Sequence, residues 1–527
     1  MRKKRILAVS ESPLLSTGYG RYTENLLKKL HDTGKYDITL LASYCDSRDG
    51  RLSQFPWYTI GNNPLNPEEE KIYNSHPQHQ LGSFRFEQVA VQTMPDIVFD
   101  FRDQWYFDYQ ENSILRSNYG WVISPTVDAA PQKQQWIYTF SQADKVLTYT
   151  DWGAETLKEA GLTNVVGTAQ LGVDYDIFAP VKDKAAVRRF YGLDPSAFIV
   201  GMVSRNQPRK LYPDLLYAFS KFIKNASADL SKKTYLLLHT SFPEQNGFDI
   251  PRLLKNLGIT NKVLFSYFCH QCHTASIRNW QEPKTYCDKC NALSVRLPDN
   301  RIGVSQLQLS NIYNLMDLYV QYANSEGIGI GQLEAAACGV PVMSVDYSGM
   351  HDVVQKLNGY PIKYHKLTCD YTMMCMRAVP DDDDFIRQLN KFLTLPADMR
   401  RKKGEETRKL ARDYYTWDKC AAMWDKAFDQ IPIRPIEKTW GRPPQIHTPK
   451  MNPPANMSPK QFVRWAIVNV WGQPKYLGTY IEMKMCYDLT NDLISPELIA
   501  EQFQQICLNN NKVEEARYKS YQEKTKT

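Results

Sequence analysis

Two acidic residues and a set of glycines within Ser325–Val345 could bind a phosphorylated, hydroxyl-rich ligand. Glu326 is followed by Gly327 and Gly329, and Glu334 comes eight residues after the first acid. Glycines allow backbone N–H groups to approach a phosphate at a helix N-terminus, where the helix dipole favours negative charge. A carboxylate can accept hydrogen bonds from two hydroxyl groups of a sugar or a ribose. The spacing predicts a loop followed by a helix, with both acids facing one crevice.

A surface helix with two solvated acids is the alternative for such a pair, but the whole segment is more specific. The string SEGIGIGQLEAAACGVPV resembles the nucleotide-sugar signature of retaining glycosyltransferases of family 4. The resemblance covers about residues 5–430. It implies the α/β fold called GT-B, in which two Rossmann-like domains face each other across a cleft. It also implies that Glu326 holds the donor sugar and Glu334 the ribose, while Gly327, Ile328 and Gly329 lie against the diphosphate.

Arg205 and Lys210 follow the predicted strand at residues 198–203 and precede a predicted helix at residues 213–223. Two cations at the carboxyl end of a buried strand could neutralise a diphosphate, with a solvated basic loop as the alternative. The resemblance implies that they form the diphosphate clamp, which stabilises the leaving group. Arg205 and Lys210 are therefore predicted catalytic residues, together with Glu326, which holds the donor sugar. Cations and a helix dipole can supply that stabilisation, so no catalytic divalent metal is expected.

The chain opens with a predicted strand at residues 6–9, a loop containing Gly18 and Gly20, and a predicted helix. This order is typical of a doubly wound domain. The resemblance implies that both glycines lie under the donor. Many relatives carry a histidine in this domain, but none stands at the matching strand ends. Asp103 and Asp128 stand at these strand ends instead. Asp128 is predicted to be the base that activates the acceptor hydroxyl, and the alternative is that it caps the N-terminus of a helix.

Four of the eleven cysteines form two C-x2-C pairs separated by fourteen residues. Two such pairs predict a structural zinc site with four thiolate ligands. His270 and His273 are second-choice ligands. The predicted ligands are Cys269, Cys272, Cys287 and Cys290.

The cysteine segment is an insertion that the family does not require. Its predicted role is to stabilise a loop too small to have its own core. The alternative is a surface that holds a partner or an acceptor, including nucleic acid, through charge and a stacking ring. The residues that would supply these are Arg278, Trp280, Lys284 and Lys289.

The predicted organisation has two large domains and three smaller parts. An acceptor domain covers residues 1–177, and a nucleotide-sugar domain covers 178–430, with its last helix returning to the first domain. The zinc-binding insertion covers 268–299, a proline-rich strap 431–460, and a helical extension 461–527. Within the second domain, residues 365–379 predict a hairpin or lid, and the four acids at 381–384 predict a helix N-terminus, with a metal site as the alternative.

Charge and hydropathy restrict the class of protein only loosely. The net charge of +7, from 64 basic and 57 acidic residues, is compatible with an anionic partner but does not require one. No apolar segment is long enough to span a membrane, and the N-terminus does not resemble a signal peptide. A cytoplasmic protein with reduced or metal-bound cysteines is therefore expected.

These observations predict a retaining hexosyl- or pentosyltransferase that uses a nucleotide-diphosphate sugar. The acceptor stays open among hydroxymethylated DNA bases, glycans, proteins and small molecules, and the oligomeric state is not predicted. Two alternatives remain. One is a non-catalytic module that binds nucleotide sugars or nucleic acid, and the other is a different nucleotide-sugar enzyme such as an epimerase.

Overall fold

The computed structural model describes residues 2–281, 285–299 and 303–526. Its N-terminal part is a sheet of seven parallel strands in the order β3-β2-β1-β4-β5-β6-β7. The strands are β1 (Lys4–Glu11), β2 (Tyr36–Ser43), β3 (Tyr58–Gly61), β4 (Ile97–Asp100), β5 (Gly120–Ile123), β6 (Lys145–Thr148) and β7 (Val165–Thr168).

Helices cover both faces of this first sheet. Along β1, Ile6 and Ala8 are buried in one apolar core, while Leu7 and Val9 are buried in another. Both faces are therefore packed, which is why the strand is a continuous apolar run. The helices are α1 (Gly18–Asp32), α2 (Pro67–Ser75), α3 (Phe86–Thr93), α4 (Asp108–Asn112), α5 (Gln134–Ser141) and α6 (Asp151–Glu159).

The second sheet has nine strands. They are β8 (Phe198–Val203), β9 (Thr234–His239), β10 (Val263–Cys269), β11 (Ala275–Asn279), β12 (Thr285–Tyr286), β13 (Leu293–Arg296), β14 (Leu318–Gln321), β15 (Val342–Val345) and β16 (Tyr360–Ile362). Six of them are parallel, in the order β10-β9-β8-β14-β15-β16. The short strands β11, β12 and β13 are antiparallel additions beside β10, and they carry the cysteine segment.

Ten helices belong to this second half of the fold within the described residues. They are α7 (Lys184–Phe190), α8 (Tyr212–Asn225), α9 (Ala228–Lys233), α10 (Ile250–Leu257), α11 (Gln306–Leu315), α12 (Ile330–Ala337), α13 (Gly349–Lys356), α14 (Asp382–Leu393), α15 (Ala397–Tyr414) and α16 (Trp417–Asp429). Asp381 is the N-cap of α14, and three more acids fill its first turn. The helix N-terminus predicted for these acids is therefore confirmed.

The predicted hairpin is formed by β17 (Tyr364–Asp370) and β18 (Cys375–Pro380), which pair with each other and not with the large sheet. It reaches the first domain, where the Met376 N–H donates to the Ala130 carbonyl at 2.8 Å. The Lys133 ammonium donates to the Thr372 carbonyl at 3.1 Å. The hairpin therefore connects the two domains at one side of the cleft.

The last helix of the second domain packs on the first domain. On α16, the Trp424 ring N–H donates to the Tyr22 hydroxyl at 2.8 Å. Lys4 at the start of β1 pairs with Asp429 at 3.0 Å. The return of this helix to the first domain was predicted from the resemblance.

The C-terminal extension contains α17 (Ile436–Thr439), α18 (Pro459–Ala466), α19 (Tyr480–Thr490) and α20 (Pro496–Thr525), with an apolar core of its own. The long helix α20 runs through the charged end of the chain, because two of its charges are buried and paired. Glu514 accepts from Arg517 at 2.7 Å and from Arg442 at 2.9 Å. Within the described residues, no helix is both apolar enough and long enough to cross a membrane.

Candidate active site

The two sheets each bring polar side chains to one crevice. In the first sheet the strand order reverses between β1 and β4, and in the second it reverses between β8 and β14. Ligands of doubly wound folds bind at the carboxyl ends of the strands at such a reversal. The loops that leave these four strands carry most of the predicted site residues.

Glu326 lies in the loop after β14 and is buried between two cations. Its carboxylate is paired with Lys210 and with Arg209, and it accepts a hydrogen bond from the Gln321 amide at 2.8 Å. Burial alone would raise the pKa of Glu326, but Arg209 and Lys210 outweigh it and lower the pKa to about 2. Burial, aided by the charge of Arg209, lowers the pKa of Lys210 to about 8.

The backbone of Glu326 is held from the loop after β15. The Ser348 hydroxyl accepts from the Glu326 N–H at 3.0 Å and donates to the Glu326 carbonyl at 3.1 Å. Ser348 has φ of +55°, a strained value for a residue with a side chain. A Cβ atom on Gly349 would lie 2.1 Å from the Gly327 carbonyl oxygen. The two loops therefore pack directly on each other.

Arg205 does not reach Glu326 in this arrangement. It pairs with Glu244 at 3.1 Å, and its side chain is 46% exposed. The cation beside Lys210 is Arg209, which the sequence analysis did not single out. Its position next to Lys210 in the turn at Pro208–Lys210 was the available signal. The role of Arg205 as a diphosphate ligand stays a prediction.

Glu334 lies on α12 and is 4% exposed. It accepts from the Tyr313 hydroxyl at 2.8 Å and is paired with Arg21. Arg21 belongs to α1 of the first domain, so this ion pair crosses the cleft. Arg21 was not predicted from the sequence, although it directly follows Gly20.

Gly18 and Gly327 lie close to the opposite domain, whereas Gly20 lies close to its own loop. A Cβ atom on Gly18 would lie 3.0 Å from the Ile330 side chain of the second domain, and one on Gly327 would lie 2.5 Å from Thr126 of the first. Both therefore permit close approach of the domains. A Cβ atom on Gly20 would instead lie 2.5 Å from the Leu15 carbonyl in its own loop.

The start of α12 depends on the backbone conformation of Gly329. Gly329, its N-cap residue, has φ of +77°, which a residue with a side chain rarely adopts. Ile328, one residue earlier, is 6% exposed. The N–H groups of the first turn of α12 are thereby placed at the crevice.

Asp128 also contacts the opposite domain. Its carboxylate accepts from Arg377 of β18 at 2.8 Å, and the same guanidinium donates to Ser325 and pairs with Asp370. Asp128 is not a helix N-cap, because α5 begins at Gln134 with Lys133 as its N-cap. The N-cap alternative is therefore wrong.

Asp103 lies on the same side of the cleft, near Arg209 and Asp128. The Tyr19 hydroxyl donates to its carboxylate at 2.6 Å, and Tyr19 also lies 2.7 Å from the Thr126 hydroxyl. Burial is the main cause that raises the pKa of Asp103 to about 6, and the charge of Asp128 adds to it. Tyr19 was not found from the sequence.

The four cysteines of the insertion meet with their sulfur atoms all within 4.8 Å of one another. Cys269 and Cys290 are 3.7 Å apart, and Cys272 and Cys287 are 3.6 Å apart. A tetrahedral metal with bonds of about 2.3 Å to sulfur has sulfur–sulfur edges of about 3.8 Å. The four thiols therefore fit one zinc ion.

Two of the four residues proposed for a nucleic-acid grip, Trp280 and Arg278, have other contacts. Trp280 packs edge-on against Phe242 and Phe265, and Arg278 pairs with Asp288. Lys284 lies outside the described residues. His270 contacts Arg296 and is not part of the sulfur cluster.

Comparison with known proteins identifies the fold and one domain. Residues 281–410, which contain Glu326 and Glu334, match the family described as glycosyl transferases group 1. The D-inositol 3-phosphate glycosyltransferase of Mycobacterium sp. (strain KMS) is 29% identical over 217 residues, covering 40% of this chain and 38% of that protein. D-inositol 3-phosphate glycosyltransferase 2 of Catenulispora acidiphila is 28% identical over 218 residues, covering 40% of this chain and 42% of that protein. The chain therefore spans about two-fifths of the length of these relatives.

Solved structures match over most of the chain. Sucrose-phosphate synthase from Thermosynechococcus elongatus superposes with a TM-score of 0.59 at 17% identity, covering 81% of this chain and 99% of that one. Anabaena HepE, solved with UDP and glucose, gives 0.56 at 14% identity, with 81% and 100% covered. The chain thus has the GT-B fold, as the resemblance predicted, and its residues 281–410 match the glycosyl transferases group 1 family.

Proposed function

We propose that the chain is a glycosyltransferase that moves a sugar from a nucleotide-diphosphate sugar to an acceptor hydroxyl, with retention of the anomeric configuration. The observation that supports this is the pairing of the buried Glu326 with Lys210 and with the partly exposed Arg209 at the strand reversal of the second sheet. A carboxylate between two cations provides partners for sugar hydroxyls and for a diphosphate at one place.

In this proposal the bound donor replaces ion pairs between side chains of the protein. Sugar hydroxyls take the place of a cation at Glu326, and the ribose hydroxyls take the place of Arg21 at Glu334. Lys210 and Arg209 then face the diphosphate, and Arg205 can join them because its own side chain is 46% exposed. The N–H groups at the start of α12 add partial positive charge.

The transfer step passes through a state with positive charge on the sugar and growing negative charge on the diphosphate. The cations stabilise that negative charge most as the bond breaks, which lowers the barrier without a divalent metal. Retention follows from attack on the face that the leaving group vacates, and it needs no nucleophilic carboxylate. Asp128 and Asp103 orient the acceptor hydroxyl from the first domain.

The acceptor that we propose to test first is a small polyhydroxy compound. The names of the relatives, D-inositol 3-phosphate glycosyltransferase and sucrose-phosphate synthase, refer to products or acceptors of that class. Hydroxymethylated DNA remains a second candidate, but Trp280 is already packed between other rings. We also propose that the four cysteines bind one structural zinc.

Free nucleotide released from a pooled panel of nucleotide sugars, with and without acceptors, tests the function. We expect release that depends on an acceptor, and a loss of about 100-fold or more in the Lys210→Ala variant. The matched control is Lys224→Ala, which removes an exposed lysine on α8. Tight donor binding with no release would support the non-catalytic binding module. Interconversion of the donor sugar without release would support an epimerase.

A further inference from the structure

The C-terminal extension completes a cavity on the outside of the first domain. The cavity has a volume of about 290 Å³ and is lined by α4 and α5 on one side and by α19 and α20 on the other. The Tyr476 hydroxyl donates to the Asn112 side chain at 3.1 Å, which holds the extension against α4. The space corresponds to about ten water molecules at about 30 Å³ each, enough for a small ligand.

Glu111 of α4 is the unusual residue in this cavity. It is 5% exposed, and no hydrogen-bond donor in the described part of the chain reaches its carboxylate. Asp108, one turn earlier, accepts only from the Thr139 hydroxyl, at 3.4 Å. A buried carboxylate without a partner is costly, and a cationic ligand would remove that cost.

The cavity around Glu111 is lined by more acidic than basic side chains. Asp108, Glu111 and Asp488 line the cavity with a single ammonium, that of Lys484, which is already paired with Asp488 at 2.6 Å. Lys475 and Arg116 lie outside the lining and act on Glu111 only at a distance.

Burial has a larger effect on Glu111 than these distant cations. It raises the pKa of Glu111 to about 7, and the nearby Asp108 raises it further against the opposing effect of Lys475 and Arg116. Tyr138 of α5 faces the same carboxylate, and burial raises its pKa as well. The pocket therefore has two acids with no cation of their own.

We propose that this cavity binds a small organic cation with one or two ammonium groups, which pair with Glu111 and Asp108. The sides of the cavity suit a hydrocarbon body, because they include Tyr480, Ile481 and Met485. A metal ion is disfavoured, since among the described residues only the four cysteines form a group of three or more suitable ligands.

Titration calorimetry of the full-length protein with 1,4-diaminobutane tests this site, with 1,4-butanediol as the neutral analogue of the same shape. We expect the diamine to bind and the diol not to bind. Affinity should fall about tenfold from pH 8 to pH 6, because Glu111 takes up a proton in that range. Glu111→Gln should weaken binding at least tenfold, whereas Glu155→Gln, an exposed acid on α6, should leave it unchanged.

Four outcomes would overturn the proposal. They are equal binding of diamine and diol, no heat with either compound, displacement of the diamine by glucose or Mg²⁺ alone, and unchanged affinity in Glu111→Gln. The melting temperature of each variant reports whether it folds. If Glu111→Gln does not fold, two other measurements test the proposal. Diamine binding should weaken in Asp108→Asn, and in the unaltered protein it should weaken from pH 8 to pH 6.

Discussion

Arg21 and Glu334 form an ion pair across the cleft, although they belong to different domains. Glu334 is buried and also accepts a hydrogen bond from Tyr313, and Arg21 is its only ion-pair partner among the described residues. The first domain therefore contributes a cation to the place where the ribose and diphosphate of the donor are proposed to bind.

Replacement of Arg21 by glutamine should weaken donor binding about tenfold, which corresponds to about 1.4 kcal/mol. The variant loses the cation that lies beside the diphosphate once the ribose hydroxyls have taken its place at Glu334. The donor KM should rise more than kcat falls. Arg48→Gln, which removes a surface arginine paired with Asp46, should leave both unchanged. A normal donor KM in Arg21→Gln would contradict the proposed role.

Donor binding should weaken as the pH rises through about 8. The pKa of Lys210 is lowered to about 8 in the folded protein, so the ammonium loses its proton above this pH and its charge no longer attracts the diphosphate. The donor KM, measured between pH 6.5 and 9.5, should rise above about pH 8. In Lys210→Arg this rise should disappear, because arginine keeps its proton throughout this range.

The two acids of the first domain should differ in their effect on the pH–rate profile. The raised pKa of Asp103, about 6, predicts that kcat falls below pH 6 as this carboxylate is protonated. Asp103→Asn should remove that acidic limb and lower kcat by about 100-fold. Asp128→Asn should keep the limb, because Asp103 is still present in that variant. A limb that persists in Asp103→Asn but vanishes in Asp128→Asn would favour Asp128, the base predicted from the sequence.

Removal of the proposed zinc should destabilise the second domain. Elemental analysis should find about one zinc per chain, and a strong chelator or Cys287→Ser should lower the melting temperature by several degrees. The matched control is Cys369→Ser, which changes an exposed cysteine outside the cluster. A protein without zinc whose melting temperature is unaffected by chelator would refute the site.

The sequence predicted the parts of the fold that depend on local patterns. Buried strands such as β1 and β8 are continuous apolar runs, and the loop before α12 has a nearly complete signature, so both could be found without the structure. Residues 46–80 were not assigned, because α2 is polar and β3 has only four residues. The helical extension was predicted, but the burial of Glu514 and Arg517 in α20 depends on tertiary contacts and could not be predicted.

The site was predicted less completely than the fold, because side-chain partners depend on tertiary contacts. The signature identified Glu326, Glu334 and Lys210. It could not show that Arg209, rather than Arg205, lies against Glu326 in this arrangement. The packing of the two domains brings Arg21 to Glu334, and the fold of the first domain brings Tyr19 to Asp103.

The core of the first domain includes residues that are synthesised long after residue 177. Trp440 and Trp424 are buried in its two apolar cores, Ile431 packs against Gly120, and Tyr521 of α20 packs beside them. A nascent chain that has just passed residue 177 therefore lacks part of that core. At about 5–20 residues per second, it waits tens of seconds for these side chains to leave the ribosome. Both domains must then reach their final packing nearly together, and a truncation after residue 430 should leave the first domain prone to aggregation during synthesis.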